Sequence, residues 1–582
     1  MNYKEILTYI PEIMRVLRMM MALFLTFDYP IAGKCLLLMV CVEIAVGRLQ
    51  YNKKRAVVLD LILIYLNLAG SMSYIKVNIF IFVALILLSV ELVVKVIQRF
   101  SDRVDIFKKL SKVLDINIKK RYVALGVITF LICAFVLAVT PYSEAPKVSE
   151  AYKATFDVNK FYSDEVCCDR ATIIDDNGEA LARRINLIEN AKEEIVMSTF
   201  SFISDTAGKQ VIAALREAAK RGVKVRILID GFNSIMDIEG NPYFMALAEE
   251  ENVTIKIYNE VNVFTSWKAM SRMHDKYIIA DDEVYILGGR NTFNYFLGDQ
   301  KSHKNHDRDV LVYNTGGADS SIYELKSYFE GVWTLDVCHE WNEYLISGLL
   351  PSVDQARSDL EEIYEDMKET NREWFEEPDY ESITVATDKI TLLSNPIDIY
   401  MKEPWVFYGL CQLMAQAEEE VVIHTPYIIA DDYMYEAFTE ICENVDVRVM
   451  TNAPANNGNM FGAVDYVIHK QQILDTGLNV LEYNGGISYH AKSMTIDEDI
   501  SIVGSFNMDY KSMYHDTELM LVIDSVELNA ILKASHESYE KDAVEAEVQD
   551  NELGLMLKQK NTNKKIQGTI IRFLDPYVRF LF

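Results

Sequence analysis

The chain has 582 residues, with 57 Lys+Arg against 86 Asp+Glu, so its formal charge is −29; half of it is apolar and a quarter charged. That balance excludes a disordered chain and allows large cores. Residues 1–140 hold 18 basic and 9 acidic side chains, net +9, which leaves 39 against 77, net −38, for residues 141–582. The larger part therefore repels polyphosphates, which excludes a general nucleic-acid binder unless a local basic pocket compensates.

Residues 1–140 read as a multi-pass membrane anchor of four or five α-helices. Tyr122–Thr140 is nineteen residues without a charge, long enough to cross a hydrocarbon core. Val77–Val94 and Ala56–Ser71 are further spans with one acid each, Ile31–Gly47 is a weaker candidate, and Met14–Phe27 is a short span or an interfacial helix. Eight Lys+Arg in residues 97–121 and the Lys53-Lys54-Arg55 cluster put both loops on the cytoplasmic side. Tyr122–Thr140 then leads outward, so the acidic part is expected outside the cytoplasm.

Residues 141–184 read as a linker, with Pro141–Lys147 polar and containing proline. Beyond it the chain repeats itself. Ala191–Phe200 (AKEEIVMSTF) matches Ala417–Pro426 (AEEEVVIHTP), and Val223–Asp230 (VKVRILID) matches Val445–Asn452 (VDVRVMTN). A segment of helical periodicity lies between the two matched stretches in each copy, so each half opens strand–helix–strand. This predicts an α/β fold of two pseudo-symmetric halves, residues 185–345 and 385–545, each a mixed, mostly parallel sheet flanked by helices. Residues 346–384 read as an inserted helical linker. Residues 546–582 form a tail whose Lys564–Phe582 stretch is basic and aromatic, an interfacial segment for anionic lipid or a helix docked on the core. Pro576 is expected to break or kink any helix there.

Each half carries the same sparse polar pattern. His274, Lys276, Asp281, Gly288-Gly289 and Asn291 recur as His490, Lys492, Asp497, Gly504-Ser505 and Asn507, at offsets of 2, 7, 14, 15 and 17 from His in both copies. One His-x-Lys is uninformative; two six-position patterns at identical spacing are not. Alternation places each His and Lys on one strand face, and a tight return brings the Asn beside them. Two facing copies supply two imidazoles, two ammonium groups and two amides. That set suits phosphodiester chemistry: Lys and Asn stabilise charge on non-bridging oxygens, while one His attacks and the other protonates the leaving oxygen.

These residues resemble the phospholipase D superfamily, whose motif is H-x-K-x4-D-x6-G-[GS]-x-N, and within it the chain looks most like bacterial cardiolipin synthases. The stretches AALREAAKRGVKVRILIDGFNS (213–234), HTPYIIADD (424–432) and YHAKSMTIDEDISIVGSFNMDYKS (489–512) carry that likeness. The family commonly has Arg where this chain has Lys511, and two anchoring helices rather than four or five. The resemblance implies a duplicated sandwich fold and a phosphatidyl-histidine intermediate, with His274 favoured as nucleophile and His490 as acid. It also implies phosphate clamping by Lys276, Lys492, Asn291 and Asn507, and structural roles for Asp281 and Asp497. Glu518, 28 residues after His490, matches the acid that orients the motif His. Asp309, 35 residues after His274, looks like its first-half equivalent, with a seven-residue insertion near Gly298–His306. No metal or other cofactor is implied, since the lysines occupy the place of a divalent ion.

The expected activity is a membrane-bound phosphatidyltransferase converting two phosphatidylglycerols to cardiolipin and glycerol. A phospholipase D acting with water or another alcohol is the alternative, then a nuclease or an inactive scaffold. The expected partners are an anionic phospholipid and the bilayer, not nucleic acid. His303 and His306 read as a solvated loop rather than a metal site, and His424 as either packing or support for the site. The five cysteines beyond residue 140 are sparse, unlike a disulfide framework or a zinc site, though one bridge could form.

Overall fold

A computed structural model describes residues 139–261, 267–299, 304–341 and 351–582. The chain divides into two compact units, Met1–Glu144 with Asn262–Lys268, and Ala145–Val261 with Ala269–Phe582. The expected membrane spans lie outside the described residues, among which no helix is long and apolar enough to cross a membrane. The described residues lie almost entirely in the second unit.

Its first half supplies β1 (Asp169–Ile174), β2 (Glu194–Thr199), β3 (Lys224–Asp230), β4 (Val253–Tyr258), β5 (Tyr277–Ala280), β6 (Val284–Gly288), β7 (Asn305–His306), β8 (Asp309–Asn314) and β9 (Cys338–Glu340). With β10 (Val385–Ala386) they make a nine-stranded sheet ordered β10-β1-β8-β6-β5-β2-β3-β4-β9, from which β7 stands apart. The second half supplies β11 (Lys389–Ser394), β12 (Glu420–His424), β13 (Ile428–Ile429), β14 (Asp446–Asn452), β15 (Asn479–Tyr483), β16 (Ser488–Tyr489), β17 (Ser493–Ile496), β18 (Ile500–Gly504), β19 (Met508–Asp509), β20 (Leu519–Asp524) and β21 (Ala543–Glu545). Its sheet is ordered β11-β20-β18-β17-β12-β14-β15-β21, the first half's order once β10 is set aside. Both sheets are mixed. Only β2-β3-β4 and β12-β14-β15 run parallel within them, joined by the crossover helices that the matched segments predicted. β1 lies in the stretch read as a linker, and β10, from the first residues read as the second half, pairs with it as the edge strand of the first sheet.

Period-two alternation sorts the side chains into layers. Ile195 and Met197 of β2, with Ile278 and Ala280 of β5, face the outer helices of the first half. Val196, Tyr277 and Ile279 face inward, where they share one core with Val503, Leu521 and Ile523 of the second sheet. The crossover helix Thr206–Lys220 shows how locally this is specified. Asp205 accepts a hydrogen bond from the Gly208 N–H as its N-cap, a feature worth about 1 kcal/mol. Val211, Ile212, Leu215, Ala218 and Ala219 are buried on it, and Gly222 at φ +99° lets the chain turn away past its end. The inserted helix Pro351–Thr370 covers this layer, with Val353, Ala356, Leu360 and Met367 in the same core.

Pro576 does not break the last helix, which runs Thr562–Val578 before a 3-10 turn at Arg579–Leu581. The proline removes one N–H, while tertiary contacts hold both sides of it: Asp575 is buried against His469, and Arg579 donates to Asp465 at 2.6 Å. The five cysteines beyond residue 140 are free.

Candidate active site

The two motif histidines sit where the halves meet, just before β5 and β17. The last residues of the matched second strands hold them there. Asp230 of β3 accepts from the Met273 N–H at 2.9 Å, and Asn452 of β14 accepts from the Tyr489 N–H at 2.8 Å. The backbone then bridges between halves with two-fold symmetry. Met273 pairs with Thr517, and Tyr489 of β16 pairs with His306 of β7, both parallel. In each bridge the residue before a motif His meets the residue before an acid of the other half.

The carboxylates are therefore crossed. His274 Nδ1 lies 2.8 Å from Glu518 Oε1, and His490 Nδ1 lies 2.7 Å from Asp307 Oδ2. Glu518 thus serves the first-half imidazole, not His490 of its own half. Asp309 is not the equivalent of Glu518 either. Gly288 pairs with Asp309 and Gly504 with Met520, so two residues back along β8 and β20 the counterparts are Asp307 and Glu518. The spacing from glycine to partner is 21 residues in one half and 16 in the other, an insertion of five. Asp309 instead neutralises two buried guanidinium groups, Arg184 at 2.9 Å and Arg290 at 3.2 Å.

Around the imidazoles the motif residues repeat their geometry. Lys276 and Lys492 each donate to the carbonyl of their own motif His at 2.5 Å. The Lys492 ammonium also lies 3.2 Å from His490 Nε2. Asn291 and Asn507 are buried, and among the described residues neither side-chain oxygen has a hydrogen-bond partner. Unmet polar capacity at a buried site is costly unless a ligand completes it. The motif glycines are steric. A Cβ on Gly288 would stand 2.4 Å from the Arg308 carbonyl, and one on Gly504 2.1 Å from the Leu519 carbonyl. At the next position a Cβ on Gly289 would strike Asp307, whereas Ser505 uses its hydroxyl to donate to Glu518 at 2.5 Å.

Asp281 and Asp497 stand away from this cluster. Asp281 accepts the N–H groups of Lys192, Glu193 and Glu194 ahead of β2, and Asp497 those of Glu418, Glu419 and Glu420 ahead of β12. Both sit at positive φ, +52° and +44°. Each carboxylate thus fastens the turn after β5 or β17 to the start of the neighbouring strand. Lys511 pairs with Asp516 at 2.6 Å, and its ammonium lies 5.9 Å from the Phe200 ring, whose centroid is 5.1 Å from that of His274. His424 bonds Tyr489 and Glu540, one residue removed from His490. Phe461 is buried in a stack with Phe582. His306 lies in the β7 bridge, and His303 is outside the described residues.

The charges settle as burial and neighbours dictate. Burial, then Lys276 and Lys492, hold His274 well below the imidazole range. Burial and then Lys492 push His490 down to about 4, against the pull of Asp307. Burial also lowers Lys276 to about 7 and Lys492 to about 8. Burial would raise Asp307, but His490 and Lys492 outweigh it and keep the group a carboxylate; Glu518 is raised well above its usual value by burial, against Lys276. Each Nδ1 is thus turned to a carboxyl group of the other half. Asp307, Asp230 and Asn452 were missed in the sequence. The end positions of the matched VKVRILID and VDVRVMTN strands were a signal for the last two.

The family described as "Cardiolipin synthase, PLD-like domain" matches residues 185–333 and again 410–539. Cardiolipin synthase of Clostridium perfringens is 26% identical over 62% of this chain and 67% of its own length. Cardiolipin synthase 1 of Bacillus anthracis is 24% identical over 70% of this chain and 73% of its own. In fold, the crystal structure of phosphatidylserine synthase from Haemophilus influenzae Rd KW20 matches with a TM-score of 0.50 at 15% identity, over 71% of this chain and 95% of that one. The chain is an enzyme of the phosphatidyltransferase and phosphodiesterase class. It belongs to the phospholipase D superfamily and is cardiolipin synthase-like.

Proposed function

We propose that the protein is a membrane-bound phosphatidyltransferase that makes cardiolipin from two phosphatidylglycerols. The observation that supports this best is the pair of buried imidazoles, each backed by the other half's carboxyl group, with Lys276 and Lys492 bonded to their own motif carbonyls. Asn291, Asn507 and the two ammonium groups take the non-bridging oxygens of a phosphodiester. His490 takes up a proton from solvent as the phosphate anion enters; His274 Nε2 then attacks phosphorus, the P–O bond to the glycerol head group breaks, and His490 gives that proton to the departing oxygen. The hydroxyl of a second phosphatidylglycerol then loses its proton to His490 and attacks the same phosphorus. The P–N bond breaks, and His274 is free again.

The division of roles follows exposure. The His490 side chain is 24% exposed and that of His274 11%, so the alcohols that must enter and leave meet His490 more readily. Asp307, a carboxylate, favours a proton on His490 when the phosphate arrives.

Purified full-length protein in phosphatidylglycerol micelles should release glycerol and form cardiolipin, undiminished by EDTA. A strict divalent-ion requirement, or cleavage of single-stranded DNA with no lipid turnover, would overturn the reading. Phosphatidic acid as the sole product would make the enzyme a hydrolase. The acidic unit is expected outside the cytoplasm; complete protection from protease in intact spheroplasts, with cutting only after lysis, would place it inside.

A further inference from the structure

The helix Thr562–Val578 is docked on one side and bare on the other. On the docked side Gly568 and Asp575 are buried, Asp575 meets His469 at 3.2 Å, and Ile571 packs against Met460, Val464 and Met556. Beyond the helix the Phe582 ring stacks on Phe461 with centroids 3.8 Å apart, and the Phe582 carbonyl accepts from the Lys511 N–H at 3.2 Å. The opposite side carries Ile566, Ile570, Phe573 and Tyr577, exposed at 55, 52, 74 and 71%. Steps of four, three and four residues place these four on one stripe of an α-helix. A row of large apolar side chains on a helix held this firmly has no place in water and needs a cover.

Charge indicates which cover. Residues 558–582 hold six Lys+Arg and only Asp575 as an acid, net +5, inside a part of the chain whose net is −38. The single acid is turned inward, so the outward side is basic and apolar together. A second copy meeting this helix across a two-fold axis would oppose cation to cation, whereas an anionic lipid surface matches both properties.

We propose that Ile566, Ile570, Phe573 and Tyr577 enter the headgroup boundary of an anionic bilayer, with Lys564, Lys565 and Arg572 meeting lipid phosphates. The contact uses residues other than the membrane anchor expected in residues 1–140. The chain beyond the helix reaches the candidate active site, because Lys511, to which Phe582 is bonded, stands 5.9 Å from the Phe200 ring that packs against His274. The inference goes beyond the proposed reaction and does not depend on it.

The test reads contact without turnover. The photoreactive p-benzoylphenylalanine is placed at Phe573, at Tyr577, or at the control position Tyr323, which is 39% exposed on another helix. The full chain is reconstituted in phosphatidylcholine vesicles containing phosphatidylglycerol and irradiated. Adducts of one phospholipid mass are expected at 573 and 577 and not at 323. They should fall severalfold in Lys564→Glu/Lys565→Glu/Arg572→Glu protein, whose thermal unfolding serves as a check on folding. Absence of lipid adducts at 573 and 577, equal labelling at 323, or a crosslinked pair of chains would each overturn the proposal.

Discussion

His274 and Glu518 are separated by 244 residues, yet lie 2.8 Å apart, and the Asp307–His490 pair repeats the contact in the opposite sense at 2.7 Å. Each half thus completes the other's imidazole. Neither half contains a whole site. The bridges Met273–Thr517 and Tyr489–His306 fix this exchange in the backbone, before any side chain chooses a rotamer.

The crossing is testable ring by ring. Glu518→Gln should change the nitrogen shifts of the His274 ring and leave those of His490, while Asp307→Asn should do the reverse. Each should also cost about a hundredfold or more in kcat, the scale of a positioned proton transfer. Imidazole nitrogen NMR on selectively labelled protein checks this; a Glu518→Gln effect confined to His490 would contradict the geometry.

Asp309 should behave as a structural residue. Asp309→Asn strands Arg184 and Arg290, both buried, and breaking such a pairing costs about 3–5 kcal/mol. Thermal unfolding should show a large drop in Tm. Asp307→Asn, in contrast, should lower activity far more than stability. The opposite pattern would return Asp309 to the role its position in the sequence suggested.

That confusion shows what one-dimensional reading can reach. The duplication and the His, Lys and Asn positions were legible because each half spends a fixed number of residues on a strand, a turn and a return. Asp307 and Asp309 are two residues apart, so alternation cannot separate them; only the β6–β8 register does. The cross-half exchange was not legible, since it depends on β7 meeting β16, two short segments with no pattern of their own. Pro576 does not end the helix because docking through Asp575, Arg579 and Phe582 holds both sides of it.

Anion affinity should fall at alkaline pH. Burial brings Lys276 to about 7 and Lys492 to about 8, both far below free lysine, so each ammonium is present at low pH and lost as pH rises through those values. Sulfate, whose own charge does not titrate in this range, should inhibit at pH 6 and lose about tenfold or more in affinity by pH 9, since each charged hydrogen bond is worth about 1.5–3 kcal/mol. Affinity that holds constant to pH 9 would mean that other groups carry the clamp.

The buried amides should matter to turnover more than to folding. Asn291→Ala and Asn507→Ala each remove an amide proposed to donate to phosphate oxygens. A loss of about 10²–10³ in kcat is expected, as for one donor at a developing oxyanion. Melting temperature should stay the same or rise, because an unpartnered buried amide oxygen is removed with the donor. A fall in both together would make the asparagines part of the core.

The roles of the two histidines can be separated by trapping. Loss of either should cost several orders of magnitude, and the double loss little more, because the pair acts as one unit. The covalent step distinguishes them. A phosphatidyl ester with an activated phenol as its leaving group needs no proton at departure, so His490→Ala protein should still form the P–N bond at His274 Nε2. It should then stall, since no base remains to activate the second alcohol. Rapid quenching in alkali, which spares phosphohistidine, should therefore find labelled lipid on His490→Ala protein and none on His274→Ala protein. Peptide mapping should place the label on residue 274. Label on the His274→Ala protein would reverse the roles and make the more exposed imidazole the nucleophile. Near-normal turnover by both variants would dismiss the shared site altogether.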